Sequence, residues 1–335
     1  MDPSQVKLPP IMDMNAETIT ENTIAINAGN QDPRAKYVLE RLVHHLHDFA
    51  RETRLSTQEW MTGIEFLTAV GQTCTDVRQE FILLSDVLGL SLLVDAIDHP
   101  KPPASTEGTV LGPFHTHEAE LVVPGTQISK DEQGEPLLVL CTVKDTQGRP
   151  IDDVMVDIWE TDSGGFYDVQ HADKDGPDGR CAMRSDKDGR FWFKAIKPVS
   201  YPIPHDGPVG KFLKGVYRHP YRPAHMHFMF EKPGFDKLVT AVYDRVDPYI
   251  TSDAVFGVKD SLIVDFWPLE SAVATDYLSE SERENISAWS ILRYDFVLVS
   301  EEEAGSLRDL NSMAALARLG KRMKVYNGLP VPEVD

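Results

Sequence analysis

The chain has 335 residues, 41% of them hydrophobic, which is enough for a buried core and leaves room for two domains of ordinary size. Its 53 acidic against 33 basic side chains give a formal charge of -20, which argues against a nucleic-acid partner and against an anionic membrane surface. Three cysteines, Cys74, Cys141 and Cys181, are odd in number and lack metal-ligand spacing, so reduced packing thiols in a cytoplasmic protein are expected rather than a disulfide framework.

Met1 to Pro10 contains no basic stretch followed by an apolar one, so no secretory signal is expected. From about Asp32 to Ile97 apolar residues recur every three or four positions: Val38, Leu42, Leu46 and Phe49, then Trp60, Ile64, Leu67 and Val70, then Val77, Phe81, Leu84 and Leu88. This spacing predicts three amphipathic helices. Ser56 with Glu59 forms a candidate capping box at the start of the second, and Gly71 is a candidate stop. His44, His45 and His47 fall in the first helix and read as polar-face or interface residues, since no other ligand types accompany them. The most apolar run, Leu88 to Val94, is too short to span a bilayer.

A proline-rich connector, His99-Pro100-Lys101-Pro102-Pro103, marks a change of pattern. Beyond it, short β-branched or aromatic segments follow one another: Leu138–Lys144, Val154–Glu160, Arg190–Ile196, His225–Glu231, Leu238–Tyr243 and Leu262–Trp267. Turn formers such as Asp145-Thr146-Gln147-Gly148 and Asp186-Lys187-Asp188-Gly189 separate them, which predicts an antiparallel sandwich or barrel. Helical spacing returns at Leu307, Leu310, Met313 and Leu316. The expected organisation is therefore α+β: a helical segment over 1–104, a β-sandwich over 105–300 and a helical extension over 301–335.

Within the strands, His225-Met226-His227 places two imidazoles on one strand face, where both can reach one metal ion. Tyr167 and Tyr201 lie upstream and can supply phenolate oxygens, a donor set that suits ferric iron better than softer metals. By itself the His-x-His pattern is weak, because alternating polar positions bring histidines together on many exposed strands. A second His-x-His, His115-Thr116-His117, invites a rival reading as a four-histidine zinc hydrolase, and a non-catalytic β-sandwich module is a third. Colour separates them, since ferric tyrosinate absorbs visible light and the other two do not.

The set Gly112-Pro113-Phe114, Gly165-Phe166-Tyr167, Tyr201-Pro202-Ile203-Pro204-His205-Asp206-Gly207-Pro208, Arg222-Pro223-Ala224-His225-Met226-His227 and Asp253-Ala254-Val255-Phe256 resembles the intradiol ring-cleavage dioxygenases. The match spans about Val77 to Trp267, and its order and spacing agree throughout. The resemblance implies a β-sandwich catalytic domain and an N-terminal helical domain that forms a homodimer interface, with an apolar tunnel there that can hold a phospholipid. It implies Tyr167, Tyr201, His225 and His227 as ligands of one non-haem Fe(III) per subunit, with Tyr201 displaced when an ortho-diphenol binds. Arg222 is then expected to stabilise negative charge on the ring as O2 attacks. The bond cut lies between the two hydroxylated carbons, and both oxygen atoms enter the product.

Substrate preference is read from the same resemblance. Members that cleave hydroxyquinol carry a leucine and, three residues later, an aspartate on a helix, and Leu83 and Asp86 stand in those places. Three residues apart on a helix, both face one side, so Asp86 is expected to accept a hydrogen bond from a third ring hydroxyl. Val110, Leu111, Gly112, Pro113, Phe114, Ile203, Pro204 and Val255 look like the remaining pocket wall. Ala241 stands where many catechol-cleaving members carry glutamine. Catechol and its methyl or chloro derivatives remain the alternative substrates.

Overall fold

The computed structural model describes residues 7–10, 13–75, 78–116, 119–171 and 176–333. Val77 and His117, both singled out above, lie outside the described residues. Five helices come first: α1 (Ile19–Asn27), α2 (Pro33–Glu52), α3 (Thr57–Thr73), α4 (Glu80–Val87) and α5 (Leu90–Asp98). Strands β1 (Pro136–Asp145), β2 (Met155–Trp159), β3 (Arg180–Arg184), β4 (Arg190–Ile196) and the short β5 (Tyr201–Pro202) follow, then α6 (Pro208–Gly215). Next are β6 (Tyr221–Arg222), β7 (His225–Glu231), β8 (Leu238–Asp244), β9 (Ile263–Val264) and β10 (Trp267–Pro268). The chain ends with α7 (Ser271–Tyr277), α8 (Glu280–Arg283), β11 (Ser290–Leu298), α9 (Glu301–Arg318) and the hairpin β12 (Met323–Tyr326) and β13 (Leu329–Pro332). Contacts group these into two compact units, residues 1–68 with 309–335 and residues 69–308.

In the first unit, α2 starts where its sequence says it should. Asp32 accepts the N–H groups of Arg34 and Ala35 at 2.8 and 3.1 Å, and Pro33 occupies the first helical position, where a missing N–H costs nothing. The Ser56–Glu59 capping box forms in both directions, at 3.2 and 2.9 Å. Gly71 does not stop α3, which continues to Thr73: a single glycine weakens a helix by about 1 kcal/mol but does not by itself end it. Arg34 donates to the carbonyl of Pro330 at 2.5 Å, tying the terminal hairpin to α2. Val38, Leu42, Leu46 and Phe49 repeat along α2 yet are all about half exposed, and Trp60 and Ile64 on α3 are exposed as well.

In the second unit, Gly89 takes the left-handed φ of +74° that separates α4 from α5, so the expected third helix is really two. The strands form two main sheets in the orders β10-β11-β1-β4 and β3-β2-β7-β8-β9. Most pairings are antiparallel; β1 runs parallel to β11, and β8 parallel to β9. Their shared core contains Leu137 and Val139 of β1, Phe191 and Phe193 of β4, and Phe228 and Phe230 of β7, all essentially inaccessible. Truncating one such phenylalanine to alanine would cost about 3–5 kcal/mol. Among the described residues no helix is long and apolar enough to cross a membrane.

Candidate metal centre and substrate pocket

Strand β7 is buried on both faces, and its period of two decides what each face does. Met226, Phe228 and Phe230 enter the sandwich core, so His225 and His227 must point out of the opposite face. There the two Nε2 atoms stand 3.1 Å apart. The Tyr201 hydroxyl lies 3.4 Å from His225 Nε2 and 3.1 Å from the Tyr167 hydroxyl, so four donors from three separated parts of the chain meet at one point. All four side chains are at least 96% buried.

Local structure explains how they arrive. Tyr201 sits on β5, paired with Arg222 of β6. Tyr167 precedes a short 3-10 turn, and its N–H is held by the Gln170 side chain at 2.9 Å. Gly165, at φ +82°, lets this turn approach: a Cβ there would lie 2.8 Å from Tyr201 Cβ. Gly112, at φ +74°, brings the expected pocket wall close, since its Cβ would be 3.9 Å from His227 Nε2. Phe114 stacks on Tyr167 with ring centroids 4.8 Å apart.

The electrostatics of the cluster favour a cation. Burial holds both imidazoles well below their ordinary pKa, reinforced at His225 by the Arg222 guanidinium and at His227 first by His225 and then by Arg222. Both are therefore neutral, with lone pairs to give. His225 Nδ1 donates to the carbonyl of Pro223 at 2.6 Å, which fixes the tautomer that leaves Nε2 unprotonated toward the cluster. Burial also raises both phenols, Tyr167 far above the ordinary tyrosine value, so ionising them requires a compensating positive charge. Among the described residues no three His, Cys, Asp or Glu side chains gather into a metal-binding group, so a metal at this place has to use the phenols.

Arg222 is buried beside the cluster, its Nη1 3.0 Å from His225 Nε2. Burial works against its charge, but the Asp253 carboxylate keeps it charged, with contacts of 3.2 and 3.3 Å. Its Nη2 also donates to the Tyr243 hydroxyl at 3.2 Å, and Asp253 is itself fixed by the N–H groups of Val255 and Gly257. Sequence reasoning singled out neither Tyr243 nor the role of Asp253. It also passed over Trp159, which stacks on His227 at 4.8 Å and 5°, and Arg180, which pairs with Asp168 and donates to the carbonyl of Phe114 at 3.2 Å.

The expected pocket residues separate by exposure. Leu83, Asp86, Val110, Ile203 and Val255 are buried; Gly112, Pro113, Phe114 and Pro204 are partly covered; Leu111 is exposed. Asp86 does not face solvent: burial raises its carboxyl pKa, while Ser91 and the Arg222 charge pull it back down. His115 is turned edge-on against Trp159, with Nε2 3.6 Å from an Asp157 oxygen.

The family model described as the catechol dioxygenase N terminus matches residues 32–106, and the model described as dioxygenase matches residues 110–299. The chain is similar to the intradiol ring-cleavage dioxygenase hqdA of Aspergillus niger, at 67% identity over 336 residues and the full length of both chains. It is 46% identical to a hydroxyquinol 1,2-dioxygenase of Rhizobium sp. over 284 residues, covering 84% of this chain and 95% of that one. A solved hydroxyquinol 1,2-dioxygenase from Pseudomonas putida DLL-E4 superposes with a TM-score of 0.78 at 42% identity, covering 85% of this chain and 99% of that chain. With two adjoining family models and near-complete relatives in agreement, the chain belongs to the intradiol ring-cleavage dioxygenases.

Proposed function

We propose that this protein opens the ring of hydroxyquinol, benzene-1,2,4-triol, between its adjacent hydroxylated carbons. Both atoms of O2 enter the product, 3-hydroxy-cis,cis-muconate, the enol form of maleylacetate. The meeting of Tyr167, Tyr201, His225 and His227 at one buried point carries this reading. Two neutral imidazoles and two phenols that need a nearby positive charge to ionise are a fitting donor set for one ferric ion per subunit. When bound, such an ion lowers the pKa of phenols and water and withdraws charge from a chelated diol.

The chain's own residues do the rest. Tyr201 Oη, next to both Tyr167 and His225, would take a hydroxyl proton from the diol once a bound cation had let it ionise, returning to the neutral phenol that burial favours. Arg222, locked in plane by Asp253 and Tyr243, offers a fixed positive charge where the ring gains negative charge. Asp86 is a buried acceptor on the same helix face as Leu83, held by Ser91, so the third hydroxyl of hydroxyquinol would give its carboxylate a further hydrogen bond that catechol cannot. The remaining wall is assigned to Val110, Leu111, Gly112, Pro113, Phe114, Ile203, Pro204 and Val255.

Oxygen uptake by the iron-loaded protein with hydroxyquinol, catechol and 4-chlorocatechol side by side tests this. One O2 consumed per hydroxyquinol, at a kcat/KM about tenfold or more above the other two, is expected. Faster turnover of catechol to cis,cis-muconate would instead make the protein a catechol 1,2-dioxygenase.

We also infer a homodimer through the N-terminal helices. The half-exposed stripe of Val38, Leu42, Leu46 and Phe49 supports it, because a monomer seldom leaves so regular an apolar row to water. A phospholipid in an apolar tunnel at that interface belongs to the same reading. Free Cys74, Cys141 and Cys181 fit a reducing, cytoplasmic setting.

A further inference from the structure

Helix α6 begins without any cap of its own. Its N-cap, Gly207, has no side chain and Pro208 has no N–H, so the first donor needing a partner is the buried N–H of Val209. That partner comes from α4: Glu80 Oε1 accepts it at 3.2 Å across 129 positions of sequence. A carboxylate at a helix N-terminus also meets the positive end of the helix dipole. Glu80 is fully buried, and it is compensated there by Arg78, whose Nε donates to Oε2 at 2.9 Å and whose Nη2 lies 2.9 Å from the same oxygen. The guanidinium also grips Asp206: the same Nη2 lies 2.9 Å from one Asp206 oxygen, and Nη1 donates to the other at 3.0 Å. Gly207 lies inside this grip: a Cβ there would fall 2.6 Å from Glu80 Oε1 and 2.8 Å from Arg78 Nη2.

The two gripped segments are the ones to which the substrate was assigned. Leu83 and Asp86 follow Glu80 by three and six residues on the buried face of α4. Tyr201, Ile203 and Pro204 lead directly into the clamped Asp206 and Gly207. We propose that Glu80, with Arg78, is a positioning residue that sets the spacing between the Asp86 wall and the Tyr201–Pro204 wall, and so governs how tightly the triol is held. This rests on the pocket reading given above. Glu80 needs no contact with substrate, since its action runs through the cap of α6.

The test compares Glu80→Ala, Glu80→Gln and Gly207→Ala in the full-length, iron-loaded protein. Glu80→Ala is expected to raise KM for hydroxyquinol about tenfold, with kcat changed much less and the tyrosinate absorption retained. Glu80→Gln keeps an acceptor for Val209 but loses the ion pair, so it should fall between Glu80→Ala and the native protein. Gly207→Ala, which forces the carboxylate away, should raise KM in the same direction and carries the test with Glu80→Gln if Glu80→Ala does not fold. A hydroxyquinol KM within about twofold of native in these folded variants overturns the proposal. Asp86→Ala measured in parallel separates the two failures: lost discrimination there with a near-native hydroxyquinol KM in the Glu80 variants overturns the clamp alone. Unchanged discrimination in Asp86→Ala overturns the pocket reading, and the clamp's part in specificity with it.

Discussion

The β7 cluster and the α2 stripe break the inside–outside rule in opposite directions. At β7, histidines, tyrosines and an arginine lie within a few per cent of complete burial. Along α2, Val38, Leu42, Leu46 and Phe49 are left about half in water. Scattered apolar residues on a surface mean little, but buried polar groups and regular exposed apolar rows both have to be compensated by something. In the first region a hydrogen-bond network supplies part of the compensation, and the proposed function adds a cation there and a second apolar surface at the other region. On that proposal, the first departure is about chemistry and the second about assembly.

The comparison breaks most completely at the cluster. His227→Ala should leave the chain folded but lower its iron content from about one per chain to near zero and its activity to background, as metal analysis beside turnover would show. Arg222→Lys removes the planar fork that Asp253 and Tyr243 hold, while leaving the four donors in place. It should lower kcat about 10²- to 10³-fold with iron content unchanged. Asp86→Ala sharpens the chemical half further: kcat/KM for hydroxyquinol should fall about tenfold or more while that for catechol changes less than about threefold, and equal losses would discard the role of Asp86. At the other region, Leu46→Glu should convert a dimer to monomer in sedimentation while kcat per site stays within about twofold, because burying an unpaired charge opposes association rather than catalysis. A dimer that survives that charge would locate the interface elsewhere.

Much of this was legible wherever a local rule governs. The short β-branched and aromatic segment His225 to Glu231 marked β7, the Ser56–Glu59 box placed the start of α3, and the motif residues met where one cluster demands. What escaped depends on partners far away in sequence. Arg180 can open the buried β3 only because Asp168 neutralises it, and nothing in Arg180-Cys181-Ala182-Met183-Arg184 announces that pairing. Strand β11 carries exposed Arg293 beside buried Leu292, a readable alternation, yet its parallel partner β1 lies some 150 residues earlier. Glu80 in the first turn of α4 reads as an ordinary exposed acidic residue, and only its distant Val209 N–H together with Arg78 explains its burial. Tyr243 faces His225 across the β7–β8 ladder and reaches Arg222 through a register that a single strand cannot specify.

The most direct test of the central claim is the visible spectrum of the purified protein after loading with ferric iron. Two phenolate ligands predict a broad visible band and a red solution, a band that shifts when hydroxyquinol is added without oxygen. A fully iron-loaded protein that stays pale would show that Tyr167 and Tyr201 do not hold the metal, and would contradict the account.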